Sequence, residues 1–226
     1  MKLSEIDRVA LISCSAHRYR EDAVVRECLR VGLLDGCNFE VRRNDTSGQA
    51  NVAATFEEFL NRGYRRVLVL ENDVRFLKDA HKALRIIESA PSSCDAIYFD
   101  IFPQWNDAML AHVKERRTAG VSFIEMMGGT YGASCWLASE KAMERFVENH
   151  RKNPDLPPDS AIFTIDPALT NVFSLNPPCV QVLYADANNR RWGEAQHVLY
   201  RRWGVNYDDY NIGTGYRFGS VLEVTP

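Results

Sequence analysis

The chain has 226 residues, of which 46% are hydrophobic and 25% are charged, and these ordinary values exclude a disordered chain, a collagen and a coiled coil. Lys and Arg number 27 against 30 Asp and Glu, and the resulting net charge of −3 argues against a general nucleic-acid binder, which is normally basic. The length suffices for a full hydrophobic core. Because the sequence shows neither a long repeat nor a low-complexity linker, we expect one domain.

The start of the chain does not resemble an export signal. Glu5, Asp7 and Arg8 precede a short apolar run at residues 9–12, whereas a signal peptide needs a basic segment and a longer apolar one. No stretch approaches the roughly 18 apolar residues of a membrane span, so any membrane contact is expected to be peripheral. The six cysteines include no C-x-x-C pair, so we expect reduced thiols in a cytoplasmic protein.

Strands and helices are predicted to alternate over the first hundred residues. Apolar runs predict buried strands, and apolar residues at helical spacing predict helices. In chain order these are a strand at 9–13, a helix at 20–34, a strand at 38–42, a loop at 44–48, a helix at 51–62, a strand at 67–70, a helix at 77–90 and a strand at 95–101. This order predicts an α/β fold with a mostly parallel sheet, whose ligands bind at the carboxyl ends of the strands.

The second half of the chain is less regular. We predict a tight turn at 126–130, a strand at 134–138, a helix from a Ser139 cap to about residue 150, a rigid loop at 153–159, and one or two strands within 171–184, broken by Pro177 and Pro178. The remaining tail is rich in arginine and aromatic residues. Paired Arg and Trp in this tail could form a lid, an acceptor surface, cation–π packing or a homodimer contact.

Glu71, Asn72 and Asp73 directly follow the predicted strand at 67–70. Carboxylates at the end of a buried strand lose solvation unless another group compensates. Mg²⁺ or Mn²⁺ would compensate, because these ions take few protein carboxylates and complete their shell with water and phosphates. The alternative is structural: Asp73 could cap a helix that begins near Phe76, and Glu71 could pair with an arginine.

These segments together resemble glycosyltransferase family 25, the lipopolysaccharide-type sugar transferases. The run V-L-V-L-E-N-D-V resembles the family's strand and E-D-D motif, with Asn72 in place of the middle acid. Four further segments follow the family's order: Ser13 with Arg18 and Arg20, Gly129-Thr130 with the sequence up to Ala142, Pro158-Asp159, and L-N-P-P-C-V-Q at 175–181. The family's G-C-x-x-S-H is absent, and the tail after Tyr184 matches nothing in it.

The resemblance implies a GT-A-like nucleotide-diphospho-sugar transferase fold, with a mostly parallel central sheet flanked by helices. Residues 1–125 would bind the nucleotide-sugar, and residues 126–226 would form the acceptor side. The implied activity is metal-assisted transfer of a sugar from a UDP-linked donor to an oligosaccharide or glycoconjugate acceptor, as in lipopolysaccharide synthesis.

Candidate donor-binding residues follow the predicted strands. Arg18 and Arg20 follow the first predicted strand and are candidates to bind the diphosphate, because a guanidinium can donate two hydrogen bonds to a phosphate. Ser13 and His17 lie beside them and are further candidates. Asp45 could accept a hydrogen bond from a uracil N–H, or be an ordinary turn residue. Asp73 is the first candidate metal ligand, Glu71 could bind metal or ribose, and Asn72 could hydrogen-bond ribose or phosphate. Gly129 would let the backbone approach the sugar, and Thr130 could hydrogen-bond the donor.

Transfer with inversion needs a base that takes the proton of the acceptor hydroxyl. Asp159 is the first candidate, in the Pro-rich loop, and Glu125 is its rival. By analogy with GT-A enzymes, His197 could complete the metal shell.

Two other functions remain open. The substituted acidic motif is compatible with an inactive GT-A-like domain that only binds nucleotide-sugars or glycans. A nucleotidyltransferase would also use acids and a metal, although residues 9–20 lack the glycines of a phosphate-binding loop.

Overall fold

A computed structural model describes residues 1–44, 48–100, 102–103, 114–125, 130–131, 134–155, 168–181 and 204–212. The helices in these ranges are α1 (Arg18–Arg30), α2 (Leu33–Gly36), α3 (Gly48–Asn61), α4 (Ala80–Glu88) and α5 (Glu140–Lys152). The strands are β1 (Arg8–Ser13), β2 (Phe39–Arg43), β3 (Arg66–Glu71), β4 (Val74–Phe76), β5 (Ala96–Tyr98), β6 (Phe102–Pro103), β7 (Glu115–Thr118), β8 (Val121–Glu125), β9 (Thr130–Tyr131), β10 (Cys135–Ser139), β11 (Asn171–Ser174) and β12 (Cys179–Gln181).

A central sheet orders its strands β2-β1-β3-β10-β5-β11-β8-β7. β1 is parallel to β2 and β3, and β11 is parallel to β5. β10 lies antiparallel between β3 and β5, so β3 and β5 point the same way. Most strands of this sheet therefore share one direction, which confirms the predicted mostly parallel α/β fold.

Helices cover both faces of the sheet, because strand residues alternate between the two faces. On one face, Leu68 and Leu70 of β3 pack in a core with residues of α1 and α4. On the other, Val67 and Val69 pack in a core with residues of α3 and α5. Ser139 caps α5 as predicted, because its hydroxyl accepts a hydrogen bond from the Ala142 N–H at 3.2 Å.

The helix predicted over 20–34 is broken in two. α1 ends at Arg30 and α2 begins at Leu33, since Gly32 adopts a left-handed conformation with φ of 80°. An L side chain rarely adopts that conformation, so glycine is suited to the break.

The helix predicted over 77–90 begins later, at Ala80, and is preceded by β4. Asp79 caps this helix by accepting from the Lys82 N–H at 2.9 Å, so the cap is Asp79 rather than Asp73. The backbone just before this helix is hydrogen-bonded to distant segments. The Leu77 N–H donates to the Pro178 carbonyl at 2.9 Å, and the Lys78 N–H donates to the Asp209 carbonyl at 2.8 Å. Long-range pairing therefore overrides helical periodicity here.

β4 joins two distant parts of the chain. It pairs antiparallel with β12, and on its other side the Asn211 N–H donates to the Phe76 carbonyl at 2.9 Å. The Tyr210 hydroxyl donates to the Pro177 carbonyl at 2.8 Å. Part of the tail is thus packed against the segment that follows the acidic motif.

Glu27 of α1 connects α1, β4 and the tail by hydrogen bonds. Its carboxylate accepts from the Phe76 N–H at 3.2 Å, from two nitrogens of Arg30, at 3.1 and 2.7 Å, and from the Asn211 side chain. Glu27 is 5% exposed, so its loss leaves buried donors without an acceptor.

Glu27→Ala is therefore expected to lower the free energy of unfolding by about 3 kcal/mol, measured by urea denaturation followed by circular dichroism. Leu29→Ala is the control, because the Leu29 side chain lies on the same helix and is largely exposed. This substitution should change the free energy of unfolding by less than about 0.5 kcal/mol. Equal effects of the two substitutions would contradict the role of Glu27.

No helix within the described ranges combines the length and the apolar character that crossing a membrane requires.

Candidate functional site

The carboxyl ends of β1, β3 and β5 lie on one edge of the sheet, together with the start of the antiparallel β10. Ser13 ends β1, and Glu71 ends β3. The Glu71 N–H donates to the Ser134 carbonyl at 2.7 Å, which fixes the acidic motif to the residue before β10. The motif therefore lies at the edge where ligands bind in open α/β sheets.

Asp73 stands in the turn between β3 and β4. The Gln181 amide donates to its Oδ2 at 2.9 Å, whereas its Oδ1 is buried and has no hydrogen-bond partner among the described residues. Burial raises the Asp73 pKa above its ordinary value. The Gln181 hydrogen bond, the Arg20 and Arg75 charges and a hydrogen bond from the Asp73 backbone oppose this rise. A buried carboxylate oxygen without a partner is unfavourable by itself, and a bound cation would satisfy it.

Two arginines beside Asp73 are almost entirely buried, each 5% exposed. Arg20 of α1 donates through Nε to the Tyr19 hydroxyl at 3.1 Å, with its guanidinium 5.6 Å from the centre of the Tyr19 ring. Arg75 of β4 donates through Nη1 to the Val74 carbonyl at 2.7 Å. The edge therefore carries positive charge as well as the carboxylate, as a diphosphate site requires. Arg20 was predicted at this site, and Arg75 was not.

Asn72 links the acidic motif to the end of β1. Its Nδ2 donates to the Ser13 hydroxyl oxygen at 3.0 Å, and the Asn51 side chain donates to the Ser13 carbonyl at 3.0 Å. The structure thus brings Ser13 and Asn72, both predicted donor-binding residues, into contact through the Asn72 amide nitrogen.

His17 and Arg18, also predicted after β1, lie at the start of α1. The Cys14 sulfur and His17 Nδ1 are 3.1 Å apart, and Arg18 is exposed. Burial opposes ionisation of Glu21, but hydrogen bonds from Arg43 and Ser13 and the charge of Arg18 place its pKa below the ordinary value. The sequence pattern did not predict this Glu21–Arg43 ion pair, whose closest atoms are 2.7 Å apart.

Glu71 and Asp73, the two predicted metal ligands among the described residues, lie in a strand and in the turn after it. By strand alternation Glu71 follows Val67 and Val69 onto the α3–α5 face, whereas Asp73 lies in the next turn beside Arg20 and Arg75. Within the described ranges no three His, Cys, Asp or Glu residues are grouped for a metal ion. Mg²⁺ commonly binds through one or two carboxylates plus substrate phosphates, so the unpartnered Asp73 oxygen fits such an ion.

Asp100 is a second buried acid at this edge, and the sequence pattern did not single it out. It is 0% exposed, and its two oxygens accept from the Ser134 and Cys135 N–H groups, both at 3.0 Å. Burial raises the Asp100 pKa to about 7, with a smaller contribution from the Asp73 charge, while the backbone hydrogen bonds oppose the rise. The sequence signal was an acid after an apolar strand, the same pattern as at Glu71.

Glu125 lies away from these residues. It ends β8, which runs antiparallel to β11, so it lies at the opposite edge of the sheet. There it pairs with Arg116, at 3.1 Å, which also donates to the Ser93 hydroxyl at 3.3 Å. The structure does not bring Glu125 together with the acidic motif.

Four predicted site residues, Asp45, Gly129, Asp159 and His197, lie outside the described residues. Thr130 lies in β9, which pairs with β6. Of the tail after Gln181, the structure describes residues 204–212, and the arginine- and tryptophan-rich part lies outside the described residues.

Comparison with protein families finds no match, and comparison with curated proteins finds none either. Among solved structures, a glycosyltransferase involved in the glycosylation of the major capsid of PBCV-1 is similar, with a TM-score of 0.52 at 8% identity over 85% of this chain and 99% of its own. Weaker similarity is found to mannose-1-phosphate geranyltransferase from Thermus thermophilus, with a TM-score of 0.40 at 10% identity over 75% of this chain and 73% of its own. The inositol-1-phosphate CTP transferase from T. maritima has a TM-score of 0.41 at 12% identity over 86% of this chain and 77% of its own. Together with the sheet topology, the first similarity shows that the chain has a GT-A-like α/β fold.

Proposed function

We propose that the chain is a glycosyltransferase that moves a sugar from a nucleotide-diphosphate donor, UDP-linked, to a glycan acceptor such as a lipopolysaccharide or capsule oligosaccharide. Mn²⁺ or Mg²⁺ is the proposed cofactor. The fold supports this proposal, because GT-A-like domains place donors at the carboxyl edge of the sheet.

The observation that carries the proposal is the buried, unpartnered Oδ1 of Asp73 beside two buried arginines. Buried hydrogen-bond acceptors in native proteins normally have a partner, so an unsatisfied carboxylate oxygen in this turn indicates a bound group. A divalent cation would satisfy that oxygen, and the charges of the two arginines would attract a diphosphate bound to the cation.

In the proposed reaction the acceptor oxygen bonds to the anomeric carbon, and the bond from that carbon to the diphosphate oxygen breaks. Negative charge grows on the leaving diphosphate, where the cation would act as a Lewis acid. Arg20 is proposed to contribute a fixed positive charge, since burial and the Tyr19 hydroxyl hold its guanidinium in place. Ser13 and Asn72 would orient the nucleoside side of the donor.

Asp159 is the proposed base for the acceptor proton, and the position of Glu125 supports this choice. Glu125 is held by Arg116 at the far edge of the sheet. Asp159→Asn is expected to leave nucleotide affinity within about twofold and to lower the transfer rate by about 100-fold or more. Glu125→Gln, the matched control, should change neither. Loss of transfer in Glu125→Gln alone would reverse the assignment.

A thermal-shift screen tests the function as a whole. UDP, GDP, CMP and their sugars are each added with and without Mn²⁺, because a ligand that binds only the folded state raises the melting temperature. We expect a shift of a few degrees with UDP and its sugars at saturating concentration, larger with Mn²⁺. No shift with any nucleotide would contradict the proposal.

A second candidate is a nucleotide-sugar-binding domain without catalysis. It is favoured by Asn72, which replaces the middle acid of the motif and engages Ser13 through its amide nitrogen. A thermal shift without transfer or hydrolysis of any nucleotide-sugar would support this candidate.

A further inference from the structure

Asp100 is connected to the acidic motif through one peptide group. The peptide that joins Ser134 to Cys135 accepts through its carbonyl from the Glu71 N–H at 2.7 Å. The same peptide donates through its N–H to the Asp100 Oδ1 at 3.0 Å. The chain of hydrogen bonds therefore runs from the amide of Glu71 to the carboxylate of Asp100, across the start of β10.

When Asp100 is ionised, its charge strengthens this chain of hydrogen bonds. A carboxylate that accepts from a peptide N–H polarises the peptide and makes its carbonyl a better acceptor for the next N–H. The second oxygen accepts from the Ser134 N–H at 3.0 Å, which belongs to the preceding peptide, so one side chain holds two successive peptides at the start of β10. An asparagine would present an NH₂ group to one of these N–H donors.

Full burial of an acid is unfavourable and needs compensation. Asp95, at the other end of β5, makes similar contacts at less cost, since its side chain is 20% exposed. It accepts from the Thr170 N–H at 2.8 Å and from the Ser139 hydroxyl at 3.3 Å. The two acids thus bridge neighbouring strands at opposite edges, and only Asp100 reaches the acidic motif.

We infer that Asp100 is a positioning residue for the candidate site: through the Ser134–Cys135 peptide it fixes Glu71 and the turn that carries Asp73. Its importance for ligand binding rests on the proposed function, whereas its hold on the Glu71 backbone does not. Nothing in the local sequence at either residue indicates this link, because the peptide between them belongs to a third strand.

The direct test is amide hydrogen exchange at Glu71, measured by NMR in Asp100→Asn and in the matched control Asp95→Asn. Asp100→Asn should exchange about tenfold faster than wild type at Glu71, and Asp95→Asn should leave that amide unchanged. Equal exchange in the two variants would overturn the inference. If Asp100→Asn does not fold, amide exchange in the wild type is the test. The inference predicts that the Glu71 and Cys135 amides exchange as slowly as the Val69 amide within β3. Exchange about tenfold faster than at Val69 would overturn the inference.

Calorimetric titration with UDP and Mn²⁺ separates this inference from the proposed function. Affinity should fall about tenfold in Asp100→Asn and stay unchanged in Asp95→Asn, a difference that general destabilisation would not produce. If the wild type and Asp100→Asn bind UDP with equal affinity, the positioning role is overturned and the proposed function is left intact. Absence of binding in wild type would overturn the proposed function, and the exchange result would then still decide the link to Glu71.

Discussion

Asp73→Asn is expected to lower sugar transfer by about 100-fold or more without destabilising the protein. The substitution keeps the shape of the side chain, and an asparagine oxygen can still accept the Gln181 hydrogen bond. It removes the negative charge that would hold the cation, which is the contribution that transition-state stabilisation of a diphosphate requires. The measurement is the rate of transfer or hydrolysis of a UDP-sugar in the presence of Mn²⁺.

The stability of this variant gives an independent check. Burial raises the Asp73 pKa, so the folded state binds a proton more readily than the unfolded state. Ionised Asp73 therefore lowers the stability above that pKa, and the loss is relieved as the pH falls. Asparagine removes the charge, so the melting temperature at about pH 8 should stay the same or rise.

Asp79→Asn is the matched control for Asp73→Asn. Asp79 lies further along the same segment and caps α4, a role that asparagine fills about equally well. Neither transfer nor stability should change in this variant. Full transfer by Asp73→Asn would contradict the assignment of Asp73 to the site.

Trp136→Ala is expected to have the largest effect on stability, a loss of about 3–5 kcal/mol. Trp136 of β10 is 1% exposed. Its ring is 5.7 Å from that of Tyr98 and 5.4 Å from that of Phe56, measured between ring centres, and it is 6.2 Å from that of Phe146. Alanine would leave a cavity among strands and helices that cannot close around it.

Urea denaturation followed by circular dichroism measures this loss, and Trp136→Phe is the control. Phenylalanine keeps most of the ring contacts, so its cost should be about 1–2 kcal/mol. Equal losses in the two variants, or a loss below about 1 kcal/mol in Trp136→Ala, would contradict the packing of the α3–α5 face.

The elements that the sequence predicts well are those with strong local periodicity. The apolar run before Glu71 appears as β3, and the helix predicted over 51–62 appears as α3, which begins at Gly48. Gly63, which follows that helix, is left-handed with φ of 76°. Local patterns suffice where neighbours in the sequence decide the structure.

The elements that the sequence does not predict depend on distant partners. No strand is predicted at β4, because its pairing with β12 and with Asn211 joins segments that are far apart in the chain. The antiparallel direction of β8 is another such feature. It places Glu125 at the far edge of the sheet, although the chain continues from it into a segment predicted to approach the sugar.

The candidate site divides in the same way. Asp73 and Arg20 follow strands directly, so the general rule for α/β sheets finds them. Arg75 belongs to the site through β4 pairing, and no local pattern indicates it. Asp100 shares with Glu71 the pattern of an acid after an apolar strand, but its place beside the acidic motif depends on strand order. Glu71 was predicted as a metal or ribose ligand because it follows the predicted strand. Strand alternation places its side chain on the α3–α5 face, and its role as a ligand stays a prediction.

The most direct test of the account is calorimetric titration of UDP into wild type and into Asp73→Asn, each with Mn²⁺ and with EDTA. The account predicts that Mn²⁺ tightens UDP binding to wild type by at least about tenfold, corresponding to about 1.4 kcal/mol, and that Asp73→Asn binds UDP equally with or without the metal. Binding to wild type that is the same in Mn²⁺ and in EDTA would contradict a cation held by Asp73.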